Sequence, residues 1–270
     1  MGRNLAETGV PGYVPRAMTD GPENRSGTTH FGYREVPEDY KARLVRDVFD
    51  RVAPSYDLMN DLMSGFIHRL WKAGLVRDVA PRAGERLLDV AGGTGDVAQR
   101  LLEAGGGVDI VVCDINPDML TVGRDRAIDS GILQGMSYVA GDAERLPLPD
   151  RSMDAYTIAF GLRNVTHIDA ALAEARRVLK PGGRFFCLEF SRVVIPLLDR
   201  LYDLYSFNVL PALGQAVAGD REAYQYLAES IRRFPPQETL IEHMAKAGLE
   251  RARFRNLSGG IAAIHSGWRI

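Results

Sequence analysis

A chain of 270 residues with 46% hydrophobic and 25% charged side chains can bury the core of one large domain with an appendage. Its formal net charge of −2 excludes a global electrostatic attraction to nucleic acid. No apolar run approaches the about 20 residues that span a bilayer, and the N-terminus lacks the apolar stretch of a secretory signal. A cytoplasmic protein is therefore expected, with peripheral contact to the inner membrane surface left open.

Residues 1–27 are polar, rich in Gly, Pro, Asn and Arg, and show no periodicity, which predicts a disordered tail. Residues 28–270 read as a single domain, with a helical lid over 28–80 and a core over 86–270. The lid begins with an aromatic island, Thr28-Thr29-His30-Phe31-Gly32-Tyr33, that either packs onto the domain or reaches the site. Over 38–53 Tyr40, Leu44, Val48 and Val52 recur every four residues, with Val45 and Phe49 on the same face, so a helix is predicted up to Pro54. A second amphipathic run, 66–79, carries His68 and Trp71.

From Arg86 the chain alternates. Strands are predicted at 87–91, 109–113, 137–140, 155–160 and 184–190, with helices at 96–103, 117–130 and 167–179 between them. Near-continuous apolar strands alternating with helices imply a doubly wound, mostly parallel α/β sheet covered on both faces. Cys113 and Cys187 sit inside strand-like runs and read as reduced core thiols. The turn Leu179-Lys180-Pro181-Gly182-Gly183 delivers the fifth strand. An apolar stretch over 195–217 reads either as core packing or as a groove for a hydrocarbon tail. Helices at 221–232 and 237–247 precede a C-terminal antiparallel hairpin, 250–256 with 261–265, joined by Ser258-Gly259-Gly260.

The stretch Leu87-Leu88-Asp89-Val90-Ala91-Gly92-Gly93-Thr94-Gly95-Asp96-Val97-Ala98 runs from strand through glycine-rich turn into helix. Glycines allow a tight turn and let a ligand approach the backbone, and the helix aims unpaired N–H groups at the same space. Gly93-x-Gly95-x-x-Ala98 also satisfies the dinucleotide fingerprint. Asp89 separates the two readings: a carboxylate is unfavourable beside pyrophosphate and favourable beside the ammonium and sulfonium of S-adenosylmethionine (AdoMet). Asp114, about 20 residues after the glycines at a strand end, is placed to accept from ribose hydroxyls of either ligand. Asp142, ending the third strand before Ala143, is placed to accept from an adenine amino group. Each aspartate alone could equally be a cap or loop residue. No metal is assigned.

Leu88–Asp96 with Asp114 and Asp142 resembles the class I AdoMet-dependent methyltransferase pattern, a Rossmann-like fold that carries an antiparallel hairpin at the end of its sheet. Residues 56–71, Tyr-Asp-Leu-Met-Asn-Asp-Leu-Met-Ser-Gly-Phe-Ile-His-Arg-Leu-Trp, and residues 177–191, Arg-Val-Leu-Lys-Pro-Gly-Gly-Arg-Phe-Phe-Cys-Leu-Glu-Phe-Ser, are similar to the two signatures of the ubiquinone/menaquinone biosynthesis C-methyltransferases. Phe160-Gly161-Leu162-Arg163-Asn164-Val165 and the 28–33 island resemble that family too, so only the tail is left uncovered. The resemblance implies AdoMet as cofactor, contacts from Thr94, Asp114, Asp142 and Ala143, and a polyprenyl benzoquinol or naphthoquinol as substrate. Bacterial relatives often carry serine where this chain has Ala159, so only the backbone can contribute there.

Methyl transfer to carbon needs an electron-rich carbon. A quinol supplies it and a quinone does not. Proton handling and alignment make Tyr56, Asp57, His68, Arg163, His167 and Glu189 candidates. Arg163 and Asn164 after the fourth strand, Tyr56 and then His68 are the expected catalytic, substrate-side residues; an arginine there could stabilise a phenolate. The plain alternatives are a packed histidine at 68, a surface residue at His167 and a surface ion pair at Arg163. Rival functions are methylation of another small apolar acceptor, an NAD-dependent oxidoreductase on the same fold, and a non-catalytic subunit of a quinone-biosynthesis complex. Assembly into such a complex or a homo-oligomer stays open for the enzyme as well.

Overall fold

Neighbouring apolar side chains of one strand belong to two different cores. In β3 (Arg86–Val90) Leu87 packs into one cluster and Leu88 into the other, and in β4 (Asp109–Asp114) Ile110 and Val112 divide from Val111 and Cys113 in the same way. A strand whose two faces are both apolar needs a helical layer on each side. The computed structural model, which describes residues 27–52, 67–196, 204–209, 211–212, 215 and 221–270, supplies them.

The lid consists of a hairpin, β1 (Thr28–Phe31) and β2 (Arg34–Pro37), followed by α1 (Glu38–Val52) and α2 (His68–Val79). The core continues through β3, α3 (Asp96–Gly105), β4, α4 (Pro117–Asp129), β5 (Met136–Ala140), β6 (Met153–Ala159), α5 (Ile168–Val178) and β7 (Leu179–Phe190). It ends in α6 (Arg221–Arg233), α7 (Gln237–Lys246), β8 (Glu250–Leu257) and β9 (Ala262–Trp268). The seven-stranded sheet has the order β5-β4-β3-β6-β7-β9-β8; the first five strands are parallel, and β9 enters antiparallel to β7 and β8. This is the doubly wound α/β sheet with a C-terminal antiparallel pair that the sequence predicts. Trp71, Leu75, Val79, Val97, Leu101, Tyr224 and Leu227 cover one face. Ala171, Leu172, Ala175, Val178, Leu240 and Met244 cover the other.

Two local features differ from expectation. The aromatic island is a β-hairpin, so the lid is not wholly helical; Phe31 stacks on Tyr226 with centroids 4.1 Å apart, which holds the hairpin on α6. The fifth strand starts at Leu179 rather than 184. Leu179 pairs with Met153, and the register then jumps to Ala155 with Arg184, so the Pro-Gly-Gly segment forms an irregularity inside the strand. Its backbone is tied to the C-terminus: the Gly182 amide donates to the Arg269 carbonyl at 2.6 Å. Apart from Gly27 the expected tail lies outside the described residues, as do Tyr56, Asp57 and most of 195–217.

Strand order reverses about β3: β4 lies on one side and β6 on the other. In open α/β sheets ligands bind beyond the carboxyl ends of the strands at this switch point.

Candidate active site

The glycine turn after β3 is held by Asp114. The Gly93 amide donates to Asp114 Oδ2 at 2.8 Å, and the Asn116 amide donates to Oδ1 at 2.9 Å. Ala91, Gly93 and Gly95 have φ of +51°, +54° and +80°, a left-handed conformation that favours glycine and is strained at Ala91. Burial pushes the Asp114 carboxyl up while these amides pull it down. The Ile115 amide also bonds this carboxylate, whose lone pairs still outnumber the three amides, so the residue that shapes the turn can also receive a hydroxyl donor.

Beyond the strand ends lies an open crevice. Its floor is Val90, Ala91, Gly93, Phe160 and Gly161, at the ends of β3 and β6. Asp114, Ile115 and Asn116 follow β4, and Gly141, Asp142, Ala143 and Glu144 follow β5. Ala42, Val45 and Arg46, one face of α1, line it as well. Gly93, Asp114, Asp142, Ala143 and Asn164 therefore converge on one space, from segments up to 71 residues apart in sequence. Asp142 is set by the Glu144 amide, which donates to its Oδ1 at 2.9 Å.

Asp89 is placed differently from the other two aspartates. It does not line the crevice but lies beneath the turn, 1% exposed. Thr157, its neighbour on β6, donates to Oδ1 at 2.7 Å, while Oδ2 is buried with no partner among the described residues. A side chain at Gly92 would bring its Cβ within 3.0 Å of Oδ2, so only the bare backbone separates this oxygen from the turn. Burial pushes the Asp89 carboxyl up to about 7, opposed by Thr157 and Lys72. Lys72 itself pairs with Asp96 at 2.7 Å, and Arg100 reaches the other Asp96 oxygen at 2.7 Å. Thr94 and Gly95 complete the turn without lining the crevice.

These groups fit AdoMet. An orphaned buried carboxylate oxygen suits a cation, Asp114 suits ribose hydroxyls, and no described basic side chain at the turn awaits a pyrophosphate; Arg46 lies on α1 and Lys72 is committed to Asp96.

The catalytic candidates separate. Asn164, in the short helical turn Leu162–Asn164, lines the crevice, and the Tyr226 hydroxyl donates to its Oδ1 at 3.0 Å. Arg163 faces away from it. Its guanidinium donates to Glu189 at 2.7 Å and to the Phe160 carbonyl, and Glu189 also accepts the amides of Phe190 at 2.9 Å and Arg163 at 3.3 Å. The ion pair is buried, not a surface one, and joins two residues that sequence reasoning treats separately. His68 is buried at the start of α2 and does not line the crevice. Tyr56 lies outside the described residues. His167 is half-exposed, with Nδ1 2.7 Å from Glu144 and Nε2 3.4 Å from Glu38.

Sequence reasoning misses Asn116, Gly161 and Tyr226. Asn116 had a legible signal: as the cap before Pro117 it accepts the Asp118 and Met119 amides at 2.9 and 3.3 Å. Gly161 lies in the 160–165 run that resembles the family, but its contact with Ala91 is not legible there, and Tyr226 carries no signal, because its importance is a contact with a residue far away in the chain.

The chain is similar to known proteins over most of its length. The model of the ubiE/COQ5 methyltransferase family matches residues 35–269. It is 57% identical to the ubiquinone/menaquinone biosynthesis C-methyltransferase UbiE of Paracoccus denitrificans, covering 90% of this chain and 97% of that one. It is 55% identical to the mitochondrial 2-methoxy-6-polyprenyl-1,4-benzoquinol methylase of Arabidopsis thaliana, over 91% of each. Among solved structures, a SAM-dependent methyltransferase of Thermotoga maritima, described as a possible histamine N-methyltransferase, aligns with a TM-score of 0.58 and 22% identity. That alignment covers 83% of this chain and 99% of that one, and speaks to the fold.

Proposed function

The chain belongs to the ubiE/COQ5 methyltransferase family, and we propose that it methylates a ring carbon of a polyprenylated benzoquinol or naphthoquinol in ubiquinone or menaquinone biosynthesis. It is an AdoMet-dependent C-methyltransferase. The observation that carries the site assignment is the crevice itself: Asn164, a substrate-side residue, lines the same space as Asp114 and Asp142.

Bound AdoMet supplies an electrophilic methyl group on a sulfonium. Asp114 would accept the ribose hydroxyls, Asp142 the adenine amino group, and Asp89 would balance the positive charge from below the turn. With Oδ1 taken by Tyr226, Asn164 offers its amide N–H groups to an oxygen of the acceptor ring. The crevice-lining face of α1 keeps water from the reactants. Because a polyprenyl tail partitions into hydrocarbon, the reaction takes place where the protein meets a membrane surface. No helix among the described residues is long and apolar enough to cross one.

The ring electronics set the test. With AdoMet and a short-chain demethylated quinone, methylated product is expected only when a reductant is present, because only the quinol pushes electron density onto carbon. Equal rates on the oxidised ring would overturn the assignment. Titration with AdoMet and with NADH separates it from an oxidoreductase: saturable AdoMet binding and none of NADH is expected.

Asp89 adds a pH dependence. In the free protein its carboxyl titrates at about 7, whereas a bound cation requires the carboxylate, so binding releases a proton. AdoMet affinity should therefore rise as pH increases through about 7, and Asp89→Asn should bind more weakly with that rise gone. Calorimetry in two buffers of different ionisation heat reads both. An unchanged pH profile in the variant would exclude Asp89 from the site.

A further inference from the structure

A second cavity, of about 200 Å³, shares Val165 and Thr166 with the crevice but opens between the hairpin, α1 and α6. Its charged lining is entirely basic: Lys41, Arg163 and Arg233, with His30 beside them and no carboxylate among the described residues that line it. Lys41 and Arg163 are each 7% exposed, while Arg233 and His30 are exposed, so two cations lie deep and the others reach solvent.

The deep cations are under-satisfied. Lys41 donates to the Val165 carbonyl at 2.7 Å and forms no ion pair among the described residues. Glu144 acts on it through space, but its oxygens are taken by the Thr166 and His167 amides at 2.6 and 2.9 Å and by the His167 ring at 2.7 Å. Arg163 spends one terminal nitrogen on Glu189 and the Phe160 carbonyl, yet its Nε–H is buried with no acceptor among the described residues. Arg233 lies over the Tyr33 ring, 5.9 Å from its centroid. A buried ammonium with one carbonyl partner and a buried orphan N–H both carry a desolvation cost that an anionic oxygen would offset. Burial pulls the Lys41 ammonium below its usual range, a further sign that its charge lacks compensation.

We propose that this cavity binds a small ligand through an anionic oxygen, held by Lys41 beside the Arg163 guanidinium at the base and admitted past Arg233. The oxygen arrives either on a free oxyanion of the phosphate or carboxylate class, or as the ionised hydroxyl of an acceptor ring that extends past Asn164. Charge-assisted bonds from an ammonium and a guanidinium suit both.

The test titrates the full-length chain with inorganic phosphate at constant ionic strength, without AdoMet, by isothermal calorimetry. Saturable one-to-one binding is expected, weakened about tenfold or more in Lys41→Met and in Arg233→Met. Arg233 is exposed, so that variant keeps the test valid if the buried substitution impairs folding. Absence of saturable binding, or binding unchanged in Arg233→Met and in folded Lys41→Met, overturns the proposal. A second arm adds a reduced demethylated quinol. Displacement of phosphate assigns the anionic oxygen to the acceptor ring, and retention assigns it to a separate oxyanion ligand. The phosphate titration involves no methyl transfer, so its failure leaves the methyltransferase assignment intact.

Discussion

Glu189→Ala should destabilise the protein by about 3–5 kcal/mol, the usual consequence of leaving one partner of a buried ion pair uncompensated. The side chains of Arg163 and Glu189 are 2% and 0% exposed and meet at 2.7 Å. Burial pushes the Glu189 carboxyl up, and the guanidinium opposes it. Removing the carboxylate strands the guanidinium beside the Phe160 carbonyl and frees the amides of Arg163 and Phe190. Because Asn164 follows Arg163 directly, methyl transfer should fall with stability. The paired replacement Arg163→Met with Glu189→Leu removes both charges and should recover much of the loss, since apolar substitutes for a buried pair are often neutral or better. Urea unfolding of the two single variants and the double variant measures the coupling. A cost for Glu189→Ala below about 1 kcal/mol would place the pair with surface ion pairs instead.

Gly161→Ala should be nearly as damaging, for a steric reason. At the junction of β3 and β6, a Cβ on Gly161 would overlap the Cβ of Ala91. Both neighbouring strand ends are already left-handed, Ala91 at φ +51° and Phe160 at +58°, so little freedom remains to relieve the clash. Overpacking of this kind costs about 1–3 kcal/mol. Here it would also displace two residues of the crevice floor, so AdoMet affinity should fall about tenfold or more. The compensating change is Ala91→Gly, which removes the opposing Cβ and relaxes its φ. A double variant that regains AdoMet binding supports direct contact. One no better than Gly161→Ala would mean the damage arises elsewhere.

Both predictions turn on contacts that the chain itself does not reveal. Gly161 fits its own backbone angles and looks ordinary in sequence; its constraint comes from Ala91, 70 positions earlier. Arg163 and Glu189 are 26 residues apart, at the ends of two different strands, and only the pairing of β6 with β7 brings them together. That pairing turns an expected phenolate-stabilising arginine into half of a buried pair beside a second cavity. Asn164 shows the converse. Its neighbour in sequence is buried away from the crevice, yet the helical turn Leu162–Asn164 puts Asn164 itself on the lining.

What the sequence by itself determined follows from short-range physics. Near-continuous apolar runs made strands, four-residue spacing made helices, and their alternation required a parallel sheet with two helical layers. The glycine turn, with Asp114 and Asp142 at strand ends, located the crevice because chain direction and pleat place such residues at one edge of such a sheet. Only the tertiary structure decided which side of that edge each group serves. Asp89 and Asp114 are both strand-end aspartates, but one lies beneath the turn with a single free oxygen and the other holds the turn and faces the crevice. Local pattern sets a residue's place along a strand; strand order and packing against distant helices set its burial, its partners and hence its charge.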